Sequence, residues 1–273
     1  MAINLAERYS PKVSERFSLG SITDAYAGKD YEFSGVKTVK ISSVDTVPLV
    51  DYTRSGTSRF GTLTELGDTI QELTMTQDKA FNFSVDAGND AEQLNIKSAN
   101  KCLKREIDEV ITPHVDKYRL NAWATGAGHT ETVATPTKSN ILEFVMNGGS
   151  YMSNNLVPRK NRVLFIREST YIHVKLADQI TGNDTLGKTA VKDGSVGMLD
   201  GMKVVPVPDS YFPEGVQFMI KYVNCTVDPF KLKNYRIHKN PMGVDGDVAE
   251  GRILFDSFVL ETKKNGIYVA SIA

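Results

Sequence analysis

The sequence predicts a mixed α+β fold, and three observations predict it. A long central stretch carries apolar residues at three- and four-residue steps, several short β-branched runs are bounded by Gly and Pro, and the two patterns alternate through the second half of the chain. With 273 residues the chain can bury a core without a disulfide or a metal, as one large domain or two modest ones.

Residues 1–29 hold helix-compatible pieces, Ile3, Leu5 and Ala6 and then Val13 and Phe17, broken by Pro11 and Gly20. They offer too little apolar surface for a core of their own, so an arm that packs on something else is expected. From Tyr31 the run YEFSGVKTVKISSV reads as a strand, and in QELTMTQDKAFNFSVD the residues Phe81, Phe83 and Val85 fall at the two-residue period of another. Their connection, DYTRSGTSRFGTLTELGD, is rich in Gly, Thr, Ser and charge. It is longer than ordinary hairpin loops, and such loops contact a partner or are disordered.

The strongest helical signal lies between Asp90 and Trp123: Ile96, Ala99, Leu103, Ile107 and Val110 form a stripe that Val115, Tyr118 and Ala122 resume. Pro113 removes a backbone donor inside it, which predicts a kink or a junction of two helices near Thr112. After GAGHTETVATP, the run TKSNILEFVMNGGSYMSNN opens a second helix with Thr137 or Ser139 as N-cap. NRVLFIR then reads as a short buried strand, ESTYIHVKLADQ as a helix, and GSVGMLDGMKVVPVPDSYF and VQFMIKYVNCTVDPFKLKNYRIH as strands separated by Gly and Pro. The last segment, GRILFDSFVLETKKNGIYVASIA, reads as a hairpin turning at Lys263-Lys264-Asn265-Gly266.

Thirty-two Lys and Arg nearly cancel 33 Asp and Glu, so bulk charge gives no support to a nucleic-acid- or membrane-binding role. Basic residues are spread singly, without the aromatic interleaving of a recognition surface. Cys102 and Cys225 stand far apart outside any CxxC spacing, as core or surface thiols in a reducing cytoplasm. MAINLAERYSPKVSERF has no continuous apolar stretch, so neither a signal peptide nor a membrane anchor is expected.

One motif points to an enzyme: Gly182 to Thr189 matches the phosphate-cradling GxxxxGK[ST] pattern. That loop works only between a buried strand and a helix, whereas YIHVKLADQI before it has helical spacing and AVKDGSVGML after it has none. No apolar run ending in Asp stands ready to hold magnesium. A surface loop is the better reading, with a nucleotide hydrolase as a remote alternative. His114, His129, His173 and His238 form no ligand set and read as surface or capping residues. Pairs such as Asp108 with Glu109, or Glu65 with Asp68, are what any solvated face supplies, and no GxSxG elbow is present. No catalytic residue, cofactor or metal is therefore expected.

The order of arm, long two-stranded loop, kinked long helix, α/β insert and C-terminal strands resembles the Hong Kong 97-type capsid fold of tailed-bacteriophage major capsid proteins, which encapsulin shells share. The resemblance is carried by AERYSPKVSERF, KDYEFSGVKTVKI and REIDEVITPHVDKYRLNAWA, which look like the arm, extended loop and spine helix of capsid proteins from phages of Gram-positive bacteria. RVLFIRESTY, LDGMKVVPVPDSYF, DPFKLKNYRIHKNP and LFDSFVLETKKNGIYV look like the axial core and closing strands.

The resemblance implies an N-terminal arm at 1–29, an extended-loop hairpin at 30–86, a peripheral domain with the spine helix at 87–132, an axial domain at 133–242, and C-terminal strands at 243–273 that return to the peripheral domain. It implies a structural subunit and not an enzyme: a major capsid protein tiling an icosahedral shell as pentamers and hexamers, with an encapsulin-type nanocompartment shell as the alternative. The loop at 51–68 would reach over a neighbour, making Arg54, Arg59, Glu65 and Asp68 candidates for intersubunit ion pairs. Rim pairs of this kind contribute only about 0–1 kcal/mol each, but a closed shell repeats them hundreds of times. Some relatives weld this loop to a neighbour by a Lys–Asn isopeptide bond, a pairing that is not identifiable in this sequence. Implied partners are further copies of the chain, a separate scaffold protein, a portal, and packaged double-stranded DNA through non-specific contact, but no membrane. Assembly in a bacterial cytoplasm and residence in the virion follow.

Overall fold

The computed structural model describes residues 20–28, 38–86, 99–177, 191–192, 195–239, 241–243 and 245–272. The Gly182–Thr189 run, most of the arm, the start of the strand expected from Tyr31 and the start of the helix expected from Asp90 lie outside the described residues.

The first half contains β1 (Thr38–Val44), β2 (Asp68–Thr74), β3 (Gln77–Asp86), α1 (Ala99–Glu106), α2 (Thr112–Thr125), β4 (His129–Thr132) and α3 (Ile141–Asn154). Then follow β5 (Arg162–Arg167), α4 (Glu168–Lys175), β6 (Val191–Lys192), β7 (Ser195–Val196), β8 (Met198–Leu199), β9 (Met202–Val207) and β10 (Val216–Tyr222). The chain ends with β11 (Thr226–Val227), β12 (Phe230–Lys239), β13 (Gly246–Phe255), β14 (Phe258–Val259) and β15 (Ile267–Ser271).

A mixed six-stranded sheet in the order β4-β15-β10-β5-β9-β8 is covered on both faces. Leu164, Ile166, Phe218, Ile220 and Tyr268 meet α3 and α4 on one side. Val163, Phe165, Met219, Ile267 and Val269 meet Leu120 and Trp123 of α2 on the other. Two buried faces explain why RVLFI and VQFMI lack polar alternation. At Gly148, α3 comes so close to the sheet that a Cβ would stand 2.7 Å from the Tyr268 ring and 2.8 Å from Ile220 Cδ1. Gly148→Ala is therefore expected to lose about 1–3 kcal/mol by overpacking, more than the ~1 kcal/mol that alanine gains in helix propensity. Urea denaturation checks this, and a raised midpoint would contradict the close approach.

A three-stranded antiparallel sheet, β12-β13-β3, carries the long helix. The helix runs as α1, a π turn at Ile107–Ile111 and α2, with the Thr112 N–H donating to the Ile107 carbonyl. Pro113 has no N–H to continue the ladder, and the widened turn ends just before it, so the expected junction near Thr112 is present. Ile107, Ile111, Val115 and Tyr118 pack on Phe81, Ile253 and Phe255. Behind the sheet, Leu254 joins Leu73, Met75, Val227 and Leu260, which ties the base of the β1–β2 ribbon to the body. Gly251 lies opposite Phe81 in register, where a Cβ would come 2.3 Å from the Phe81 ring.

Two local expectations are corrected. Lys263 to Gly266 do not turn a hairpin: Glu261–Gly266 is a 3-10 turn, and β15 leaves it to pair with β10 and, in parallel, with β4. Gly266 is there for close approach, since a Cβ would sit 3.0 Å from Cys225 Cβ. The N-cap of α3 is Asn140, not Thr137 or Ser139. Asn140 Oδ1 accepts the Thr137 N–H at 2.6 Å and the Ile141 N–H reaches the Thr137 carbonyl at 3.1 Å, while the Thr137 and Ser139 hydroxyls bond each other.

Candidate assembly surfaces

Strands β1 and β2 pair in one register from Thr38 opposite Thr74 to Val44 opposite Asp68, and the Asp45 N–H closes the ribbon on the Gly67 carbonyl at 3.0 Å. Beyond it the loop is organised by its own contacts. Thr53 N–H donates to the Arg59 carbonyl at 3.1 Å, and Arg59 Nε donates to the Gly56 carbonyl at 3.1 Å. Tyr52 sets its ring edge-on to Phe60 with centroids 5.1 Å apart, and Gly61, at φ +83°, lets the chain fold against Val50. Leu49 and Leu63 are fully exposed and Phe60 nearly so. Exposed apolar side chains gathered on one element mark a contact surface.

All four candidate ion-pair residues sit here. Arg54, Arg59 and Glu65 lie on the loop, Asp68 begins β2, and all are exposed. None forms an ion pair among the described residues, and Arg59 is bound to its own loop at Gly56. Sequence reasoning weighed these charges and passed over Leu49, Tyr52, Phe60 and Leu63. The available signal was apolar residues with neither helical nor strand period inside a polar loop.

The other construction is buried. Residues 20–28 are strapped onto their own chain by charged side chains. Asp116 of α2 accepts bonds from Ser21 Oγ (2.8 Å), the Ile22 N–H (2.8 Å) and Thr23 Oγ1 (2.5 Å). Arg119, also buried, donates to Thr23 Oγ1 at 3.2 Å and approaches Asp24 at 3.4 Å. Lys221 Nζ donates to the carbonyls of Tyr26 (2.7 Å) and Val223 (3.2 Å) and lies 4.2 Å from the Trp123 ring centroid. Burial pulls its ammonium below the usual lysine range, against the opposing effect of the Cys225 and Asp228 groups. Asp228 accepts bonds from the Gly28 N–H (2.9 Å), Trp123 Nε1 (2.9 Å), Thr226 Oγ1 (2.7 Å) and Ser257 Oγ. At Gly28 a Cβ would collide with the Thr226 carbonyl oxygen, 1.7 Å away.

These ionisable groups are hydrogen-bonded to the strap. No buried side-chain polar atom lacks a hydrogen bond among the described residues, nor do three or more His, Cys, Asp or Glu gather there as a metal site. Half-buried His129 stacks on Tyr151 at 4.3 Å, whereas His114 and His238 are exposed surface residues, His114 meeting Phe255 edge-on and His238 pairing with Glu250 at 3.0 Å. Cys225 is a core thiol, pushed by burial up to about 11, and Cys102 is half-buried.

Asp256 accepts bonds from the Thr76 N–H (2.7 Å) and the Tyr118 hydroxyl (2.6 Å), linking the β2–β3 bend to α2. Burial first, and then the bond to Asp256 and its charge, push Tyr118 up to about 12. The folded chain holds this proton more tightly than the unfolded chain does. Its contribution is thus complete below pH 10 and is lost as pH rises from about 10 to about 12. Because the ring is only partly buried, solvent screening leaves about 1 kcal/mol of the effect. Tyr118→Phe is expected to flatten alkaline stability loss by that amount, and an unchanged pH slope would count against it.

No protein-family model and no curated protein matches this chain. Solved structures do. One chain from Mycobacterium phage Che8 aligns at a TM-score of 0.81 and 15% identity, covering 98% of each chain. The capsid structure of cyanophage P-SCSP1u aligns at 0.79 and 11% identity, covering 99% of this chain and 93% of that one. The mature capsid of bacteriophage PhiM1 aligns at 0.75 and 9% identity, covering 98% and 92%. The shared feature is the fold: this is the Hong Kong 97-like phage capsid fold, present over nearly the whole chain. Among the described residues, no helix is long and apolar enough to cross a membrane.

Proposed function

We propose that this chain, folded throughout like phage capsid subunits, is the major capsid protein of a tailed double-stranded DNA phage, tiling an icosahedral shell as pentamers and hexamers. The observation that carries the reading is the loop at 45–67. A two-stranded ribbon holds an organised tip with fully exposed Leu49 and Leu63, and no described residue of its own body covers them. Exposed apolar side chains on a monomer are an aggregation liability unless an interface takes them up.

In the assembled shell the spine helix α1–α2 and the β12-β13-β3 sheet serve as the peripheral part, so that of the axial range 133–242 the strand β12 (Phe230–Lys239) goes with the periphery and residues 133–229 gather around the five- and six-fold axes. The loop reaches over a neighbouring copy, and Arg54, Arg59, Glu65 and Asp68 meet opposite charges there. The buried strap of residues 20–28 gives the arm a fixed point of departure. A scaffold protein and a portal direct closure, and packaged DNA touches the inside without sequence recognition. Electron microscopy of the purified chain, alone and with a co-expressed scaffold, tests the proposal. Rings and closed shells are expected, and monomers alone under every condition would refute it.

A further inference from the structure

Helix α3 ends at Asn154 and is capped by Asn155 in a complete Schellman arrangement, with the Leu156 N–H bonded to the Ser153 carbonyl at 3.1 Å and the Val157 N–H to the Met152 carbonyl at 3.0 Å. The position that favours glycine is held by Leu156, at φ 59°. A left-handed backbone strains a branched side chain, and Leu156 has no compensating burial, being 90% exposed. The turn is rigid, because buried Arg162 donates to the carbonyls of Val157 (2.6 Å) and Pro158 (3.0 Å) behind it. Leu156 stands at the wall of an open hollow of about 340 Å³ whose lining includes Val157, Pro158 and Tyr222, with Asn224, Thr262 and Asn265 as polar neighbours. A rigid apolar anchor among apolar and polar lining residues is the anatomy of a contact hot spot.

The same chain carries a matching occupant. The 45–68 segment presents Leu49, Phe60 and Leu63, with four carboxylates (Asp45, Asp51, Glu65 and Asp68) against the two arginines Arg54 and Arg59. Lys263 is the charged residue in the lining of the hollow; exposed Arg159 and Lys160 follow its Pro158 directly in the chain, and exposed Lys264 lies 3.4 Å from Glu261. Apolar tip meets apolar hollow, and a net negative loop meets a net positive rim. We infer that the hollow beside Leu156 receives the tip of the 45–67 loop from a second copy of this chain, with the acidic side of the loop over Arg159, Lys160 and Lys263. The inference rests on the shell reading and adds the receiving surface to it.

Two measurements test it. Leu156→Gly relieves the strained position, so the unassembled variant is expected to melt at or above the temperature of the parent chain, while its yield of shells falls at least tenfold. A photoreactive residue placed at 156, in shells built from mixed isotopically light and heavy chains, is expected to capture a peptide from residues 45–67 of a different copy. Shells that form normally with Leu156→Gly, or that capture another segment or none, overturn this assignment and leave the capsid reading standing. If the parent chain forms no shell, the capsid reading fails and this inference fails with it.

Discussion

Replacing Asp228 with alanine is expected to lower the stability of the unassembled chain by about 4 kcal/mol or more. The carboxylate accepts the Gly28 N–H, the Trp123 indole N–H and the hydroxyls of Thr226 and Ser257, all in the interior. Removing it strands four donors without water, and each stranded group costs about 1–3 kcal/mol, set against a total domain stability of about 5–15 kcal/mol. It also leaves the Lys221 ammonium without a nearby compensating carboxylate. Asp228→Asn keeps the shape and one acceptor oxygen, so a smaller loss is expected. Urea denaturation followed by circular dichroism reads both. A midpoint within about 1 kcal/mol of the parent for Asp228→Ala would mean that the strap is ornamental, contrary to the bonding seen.

The second large effect falls on assembly and not on folding. Val44 and Asp68 face each other at the end of the ribbon, so residues 45–67 can be replaced by a two-residue Asn-Gly turn without moving either strand. The shortened chain is expected to keep its secondary structure and to be no less stable than the parent, gaining up to about 2 kcal/mol because each halving of a loop's length saves about 0.6 kcal/mol of closure entropy. Shell formation is expected to disappear. Sedimentation separates the outcomes: shells that still form without the loop contradict its assigned role, and a chain that no longer folds contradicts the view that the loop is independent of the core.

Much of the fold was legible because its signals are local. The spine stripe from Leu103 to Ala122, the junction at Pro113 and the unbroken apolar run of β5 follow from periodicity and one missing N–H. The Asn265-Gly266 step misled because a hairpin signal says nothing about which strand lies alongside. β14 is held by β11 and β15 by β10, both remote in sequence. Nothing local marks Lys221 and Asp228 as buried, since burial of a charge depends on donors and acceptors contributed by Tyr26, Gly28 and Ser257 from across the chain. The loop showed as long and polar, and its function was sought in Arg54, Arg59, Glu65 and Asp68. Only its exposed geometry directs attention to Leu49, Phe60 and Leu63.

If copies tile as proposed, the loop becomes covered. Limited trypsin digestion at Arg54 and Arg59, compared between unassembled chains and purified shells at equal concentration, tests it most directly. Free chains are expected to be cleaved rapidly at these two exposed arginines on a loop remote from the core, and shells to be protected by at least tenfold. Equal cleavage in both would show that the loop remains bare in the particle and does not serve as an assembly contact.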